Sequence, residues 1–332
     1  MLIIIILLVF ILYFMKIFGF FNFFCCPISK KGMTSLFVEP GFIKHETVKD
    51  LLGLTMLVYD YSKKFTLEED ETIETFVSGL KSNKEEMKSL EFSDERSIVL
   101  NQLNERSPQG KVVTFISDEE TDIQVGVTTS EINKRISVIF RGSESKADWY
   151  YDLMIFKTKI LDNKYENVQV HSGFHTQLHK NNVYEKLINV VKKLKTKHPD
   201  YNIYITGHSL GAALSTLFGF ELANEIDNKV TVVSFASPRI GNPEFRTAFD
   251  KKDNLEHYRV SNDRDIVTAG PMINFQHVGT NIALSDDKCE IFKLYDYNTW
   301  FKFSLFNCWK VSDHNVDLYY TRLCKFHWNE KK

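Results

Sequence analysis

Ser209 sits in the pentapeptide Gly207-His208-Ser209-Leu210-Gly211, and its type and spacing could do nucleophilic chemistry. A serine hydroxyl attacks an ester carbonyl only when a base takes its proton and nearby donors receive the developing charge. The β-rich run Tyr201-Asn202-Ile203-Tyr204-Ile205-Thr206 precedes the motif, and the helix-competent run from Ala212 to Phe218 follows it. Strand, turn and helix in that order make a nucleophile elbow. Two glycines without a Cβ let strand and helix crowd together while the serine takes a strained conformation and projects its Oγ. The helix N-terminus then offers unpaired N–H groups to an anion.

The base must be an imidazole held in one tautomer, and folds with this elbow supply acid and base in the chain order Ser, Asp or Glu, His. Asp265 is the first candidate acid, because Tyr258 to Asn262 reads as a strand that ends in the loop Asp263-Arg264-Asp265. Asp263 is the reserve. Three histidines follow: His277, His314 and His327. His277 lies in the alternating Phe275-Gln276-His277-Val278-Gly279-Thr280, which reads as a strand. His314 opens an amphipathic segment after a loop, where a ring can reach inward. The residues alone leave the choice between them open.

The elements that must position these groups alternate. Strands are predicted at Val112 to Ile116, Ile123 to Thr128, Ile136 to Phe140, Tyr201 to Thr206, Val230 to Phe235 and His257 to Val260. Helices are predicted from His175 to Lys197 and from Ser209 to Glu225. Early hairpins followed by βα units imply an α/β fold with a mostly parallel central sheet and helices on both faces. An amphipathic helix over about 45 to 63 packs on this body, and the charge-rich stretch from about 64 to 107 reads as solvated surface helices or a cap.

The chain has 332 residues, 43% of them hydrophobic, and a net charge of −2, which gives no electrostatic case for nucleic acid. Met1 to Met15 carries no charge, and after Lys16 the apolar character runs on to Cys26, enough for a membrane anchor. A cleaved signal peptide is the alternative, although basic residues before the run and small residues after it are missing. Lys30 and Lys31 weakly favour a cytosolic catalytic part, and the absence of any N-x-S/T acceptor agrees. Cys25 and Cys26 could carry palmitoyl groups. Cys289, Cys308 and Cys324 show no metal-ligand spacing and read as buried free thiols. The expected organisation is an anchor at 1–26, a helical packing or capping region at 27–110 and a catalytic domain at 111–332.

Several blocks in order resemble the class 3 (fungal-type) lipases, an α/β-hydrolase family. They are Ile139-Phe140-Arg141-Gly142-Ser143, Asp148-Trp149 with Asp152-Leu153, His171-Ser172-Gly173-Phe174, the elbow, Phe235 to Asn242, Asn262 to Val267, His277-Val278-Gly279, and Asp313-His314 with Tyr319. The resemblance covers roughly residues 110 to 325. It implies Ser209 as nucleophile, Asp265 as orienting acid and His314 as general base, with Ser143 and the backbone N–H of Leu210 as the oxyanion hole. It places a lid near Trp149, Tyr150, Tyr151, Met154 and Phe156, a stretch that core packing explains equally well. The expected reaction is hydrolysis of acylglycerol esters at a lipid surface without metal or organic cofactor. Phospholipase A1 or lysophospholipase action, acyl transfer to another alcohol, and a silent lipid-binding role are the alternatives. Thr268 stands where the family has a proline, and no family motif is found before residue 110.

Overall fold

A computed structural model describes residues 36–60, 110–118, 120–143, 156–161, 163–271, 273–292 and 311–330. The expected anchor at 1–26, the stretch from 64 to 107, Cys25, Cys26, Cys308 and the lid candidates Trp149, Tyr150, Tyr151 and Met154 lie outside the described residues. Among the described residues, no helix is long and apolar enough to cross a membrane.

The centre is an eight-stranded sheet. Strands β2 (Gly110–Asp118), β3 (Ile123–Ser130) and β4 (Arg135–Phe140) form an antiparallel meander, as their short turns require. From β4 the sheet continues in parallel through β7 (Asn202–His208), β8 (Val230–Phe235), β9 (Leu255–Asn262) and β10 (Thr280–Leu284). Strand β11 (Cys289–Phe292) closes the edge antiparallel to β10. β4 and β8 are buried along their whole length, because both of their faces are covered.

Alternation along the strands divides the core in two. Val232 joins one hydrophobic cluster and its neighbour Val233 the other. The first cluster packs the sheet against α2 (Ser172–His179), α3 (Val183–Lys197), α4 (Leu210–Glu225) and α5 (Pro243–Asp250). The second packs it against α1 (His45–Asp60) and α6 (Val316–Lys325). Wholly buried Phe140, Phe218, Phe220, Phe245 and Tyr319 each contribute about 1.5–3 kcal/mol of apolar burial. Away from this sheet, β1 (Leu36–Val38) pairs in parallel with β12 (Trp328–Glu330), and β5 (Lys157–Lys159) pairs antiparallel with β6 (Gln169–His171).

Four sequence expectations change. The helix expected from His175 to Lys197 is two helices, broken where Asn181 and Asn182 take left-handed backbone with φ of 57° and 59°. Asparagine tolerates that conformation better than other residues with a side chain. Helix α1 is not half-exposed, because every residue from Leu51 to Val58 is buried. Besides its apolar packing it is tied to the sheet by Thr55 Oγ1 with Thr206 Oγ1 at 3.1 Å and by Arg135 with Asp50 at 3.7 Å. His277 lies in a loop just before β10 rather than in a strand. Cys289 is buried, and burial pushes its thiol up to about 12, but Cys324 is exposed.

Candidate active site

The parallel strands β4, β7 and β9 end at one edge of the sheet, where open α/β sheets gather their chemistry. Ser143 lies three residues beyond β4, Ser209 directly after β7, and Asp265 three residues beyond β9. Phe140 and Gly207 are register partners, so the turns carrying Ser143 and Ser209 leave neighbouring strands side by side. Ser143 is half-buried.

At the elbow, a side chain on Gly207 would collide with the Gly211 carbonyl, and one on Gly211 with the Phe140 carbonyl. Only hydrogen fits at either position while α4 lies this close to β4 and β7. Ser209 pays for the sharp turn with φ of 60° and ψ of −123°, and it caps α4. Such a conformation in a non-glycine residue costs of order 1–3 kcal/mol and persists because the surroundings fix it. The Ser209 N–H donates to the Phe235 carbonyl at 3.0 Å, and the Ser209 carbonyl accepts from Ala212 and Ala213. Leu210 supplies the first amide of α4, a position with no intrahelical acceptor.

The structure brings Ser209, His314 and Asp265 together. His314 Nε2 lies 2.7 Å from Ser209 Oγ, and His314 Nδ1 lies 3.0 and 2.9 Å from the two Asp265 oxygens. A carboxylate only accepts, so the network assigns the ring proton to Nδ1 and leaves the Nε2 lone pair facing the serine hydroxyl. Asp265 is buried, and its charge is met by further donors: Tyr319 OH at 2.7 Å and the Val267 N–H at 2.9 Å. Asp263, the reserve acid, instead lies 3.9 Å from Arg322.

The loop around Asp265 is held from both sides. Thr268, standing where the resemblance leads one to expect proline, donates its hydroxyl to the Asp265 carbonyl at 2.8 Å. The Thr268 carbonyl accepts from His277 Nε2 at 2.7 Å. His277 is therefore occupied one loop away from Ser209. Burial, reinforced by Arg259 and Arg239, holds its pKa well below the ordinary histidine value. His327 is exposed and bonds Asn329.

His314 itself sits at the end of a short 3₁₀ turn, Val311–His314, just before α6. The Asp313 carbonyl accepts from Asn262 Nδ2 at 2.8 Å, and the Asp313 carboxylate pairs with buried Arg322 at 2.9 Å. The His314 carbonyl accepts from His208 Nε2 at 2.9 Å. His208 Nε2 thus carries the proton, and its Nδ1 accepts from Tyr59 OH at 2.8 Å.

Tyr319, which the sequence placed only as part of the block around His314, and Tyr59 and the ring of His208 are neighbours of the site to which sequence reasoning gave no role. Tyr319 is wholly buried, donates to Asp265 and accepts from the Asn262 N–H at 2.9 Å; burial, then the nearby Asp265 charge, holds its phenol well above the ordinary value. The further signal available for it was the apolar face Val316, Tyr319, Tyr320, Leu323, which marks a buried helix stripe without telling which of its two tyrosines bonds Asp265. Of the lid candidates only Phe156 is described, and it is 63% exposed. Among the described residues, two His/Glu groups have metal-ligand spacing, and neither includes Ser209, Asp265 or His314.

Residues 137–275 match the family described as Lipase (class 3). A phospholipase A1-II 1 of Oryza sativa subsp. indica is 30% identical over 176 residues, covering 48% of this chain. The chain spans 45% of that relative's length. The lipase of Rhizopus microsporus var. chinensis shares the fold at a TM-score of 0.64 and 20% identity, over 87% of this chain and 91% of its own. A triacylglycerol lipase whose catalytic centre is described as a serine protease triad aligns with a TM-score of 0.56 and 25% identity, over 63% of this chain and 82% of its own.

Proposed function

We propose that this chain, whose residues 137–275 match the class 3 lipase family, is a serine hydrolase of lipid carboxylic esters, with acylglycerols as the first substrate class. The observation that carries this reading is the relay from Ser209 Oγ through His314 at 2.7 Å to Asp265 at 2.9 Å. A serine nucleophile, a base and an orienting acid are the roles that this chemistry uses, and the sheet holds them together at the carboxyl ends of its strands.

In the proposed reaction Ser209 Oγ attacks the ester carbonyl while its proton moves to His314 Nε2. The imidazolium so formed faces the Asp265 carboxylate, which keeps its own charge. The carbonyl oxygen becomes an oxyanion, to be met by Ser143 and the Leu210 N–H; each such donor is worth roughly 3–4 kcal/mol. Collapse breaks the ester bond, and the alcohol leaves with the proton from Nε2. Water, deprotonated by His314, then releases the acyl group as a fatty acid and restores Ser209.

Support for a lipid ester comes from the names of the similar proteins, one a phospholipase A1 and one a triacylglycerol lipase. Phospholipids are accordingly the second reading. An apolar segment at 1–26 would hold the site at a bilayer, on the cytosolic side if Lys30 and Lys31 follow the positive-inside rule, with 27–110 packed against or capping a catalytic unit at 111–332. The exposed ring of Phe156 suits one end of a lid built from Trp149, Tyr150, Tyr151 and Met154.

The test incubates the full-length protein with vesicles or micelles of triacylglycerol, diacylglycerol and phosphatidylcholine, with His314→Ala as control. Fatty acid release by the wild type alone supports the proposal. Binding to the lipids with no ester cleaved would overturn it in favour of a silent lipid-binding protein. Transfer of the acyl group to an added alcohol in place of water would make it an acyltransferase.

A further inference from the structure

Glu221 is out of place. Helix α4 is buried from Leu210 to Ala223 with apolar or small neutral side chains at most positions, and Glu221 is the one carboxylate in that run, only 3% exposed. A carboxylate taken out of water needs a compensating positive charge. Across from it stands α2, whose His175 and His179 are four residues apart and so share one face of the helix. Their rings stack with centroids 4.3 Å apart and planes 27° from parallel. His179 Nε2 donates to Glu221 Oε2 at 2.8 Å, and one donor atom from each of His175, His179 and Glu221 lies within 4.8 Å of the others.

We infer that His175, His179 and Glu221 form a binding site for a divalent transition-metal cation, zinc above all, that staples α2 to α4. Two imidazoles and one carboxylate are a borderline donor set that suits zinc and leaves a fourth position for water. Bonds of about 2.0–2.1 Å in a tetrahedron set neighbouring ligand atoms roughly 3.3 Å apart, so the side chains, whose donor atoms lie within 4.8 Å of one another, must turn inward to close on the ion. The ion takes the place of the proton between His179 and Glu221. Its charge compensates the buried carboxylate, and it lies at the C-terminal end of α2, where the helix dipole also favours a cation.

His175 is ready to serve as a ligand. Its ring stacks on that of His179 and brings one nitrogen within 4.8 Å of the other two donor atoms. The partly buried His179 side chain, 28% exposed, gives the ion a path from solvent. Glu221 lies eleven residues along α4 from Leu210, about 17 Å by helix rise, so the ion takes no part in the reaction at Ser209. The site ties together the helix that follows β6 and the helix whose first turn carries the serine.

The full-length protein is stripped with a chelator, dialysed and titrated with Zn²⁺ by calorimetry, and with Co²⁺ by visible absorption. The expected result is one tight zinc ion per chain, a rise in Tm on loading, and the intense visible bands of four-coordinate Co²⁺. His175→Gln, which leaves the His179–Glu221 contact intact, weakens binding at least ~10-fold, the scale on which perturbing a site's shells acts. His179→Gln does the same, so the outcome does not depend on whether a Glu221 variant folds. Ester hydrolysis by His175→Gln without metal stays at the wild-type level. Absence of zinc binding below 100-fold molar excess, or equal affinity in wild type and both glutamine variants, overturns the site. A failure there leaves the reading of Ser209 untouched, since that is measured separately on lipid esters.

Discussion

His314 and His277 are both held against the loop that follows β9, yet their surroundings differ in the sign of the nearest charge. His314 places one nitrogen on the Asp265 carboxylate and the other on Ser209. His277 gives its Nε2 proton to the Thr268 carbonyl and faces Arg259 and Arg239. An imidazole that must gain a proton during a reaction needs an anion beside it; one that faces two guanidinium groups is disfavoured from gaining one. The choice that the residues alone left open, and that the family resemblance gave to His314, rests in this proposal on charges carried by residues distant along the chain.

The largest expected effect breaks the His314 side of this contrast. Asp265→Asn removes the carboxylate and lets the ring adopt the wrong tautomer, lowering kcat by ~10⁴-fold. Asp263→Asn, whose carboxylate lies toward Arg322, leaves kcat within ~10-fold by the same reasoning. Comparable losses in both variants would erase the distinction drawn between the two acids.

Tyr319→Phe comes next. It strips one donor from Asp265 and leaves the buried Asn262 N–H without its phenolic acceptor, so stability falls by about 1–3 kcal/mol. Initial rates drop by ~10-fold, equivalent to about 1.4 kcal/mol of transition-state stabilisation. Chemical denaturation and steady-state kinetics read the two separately. An unchanged rate would show that the tyrosine supports the fold alone.

The His277 side makes a smaller, pH-dependent prediction. Its folded pKa is depressed below the ordinary 6.5, as is that of His257, pushed down to about 3 by burial and then Arg259. The unfolded chain therefore binds more protons below pH 6.5. Stability is full above that pH and is lost as pH falls below it, by up to about 1.4 kcal/mol per pH unit for each such histidine. His277→Gln, which can still donate to Thr268, keeps activity and lowers this slope in urea melts by about half a proton at pH 6.5, rising toward one at pH 5. An unaltered slope would contradict the neutral, proton-excluding setting given to His277.

Tyr59→Phe should do least. It removes one hydrogen bond to His208, worth about 0.5–1.5 kcal/mol, and loosens the ring that holds the His314 carbonyl.

The parts of this molecule that were legible in the sequence are those with a local signature. The βα alternation from β4 onward shows in its periodicity, and the elbow shows in its glycines, because backbone crowding admits no substitute at Gly207 and Gly211. The break between α2 and α3 was hidden, since Leu178 and Val183 keep an apolar pattern across Asn181 and Asn182. The depth of α1 was hidden too: its burial is set by the sheet and α6, which sequence spacing does not reveal. His208 occupies a position in the elbow motif that can be any residue, so its hold on the His314 carbonyl had no pattern to announce it. Glu221 is a buried carboxylate in an apolar run, and its burial had no local pattern to announce it.

The central claim is that His314 and Asp265 make Ser209 a nucleophile, and covalent labelling of the intact protein with a fluorophosphonate tests it most directly. Mass spectrometry should find one adduct per wild-type chain, on Ser209, with none on Ser209→Ala and labelling slowed by at least ~10³-fold in His314→Ala. Equal labelling of wild type and Ser209→Ala, or an adduct on another residue, would contradict the account.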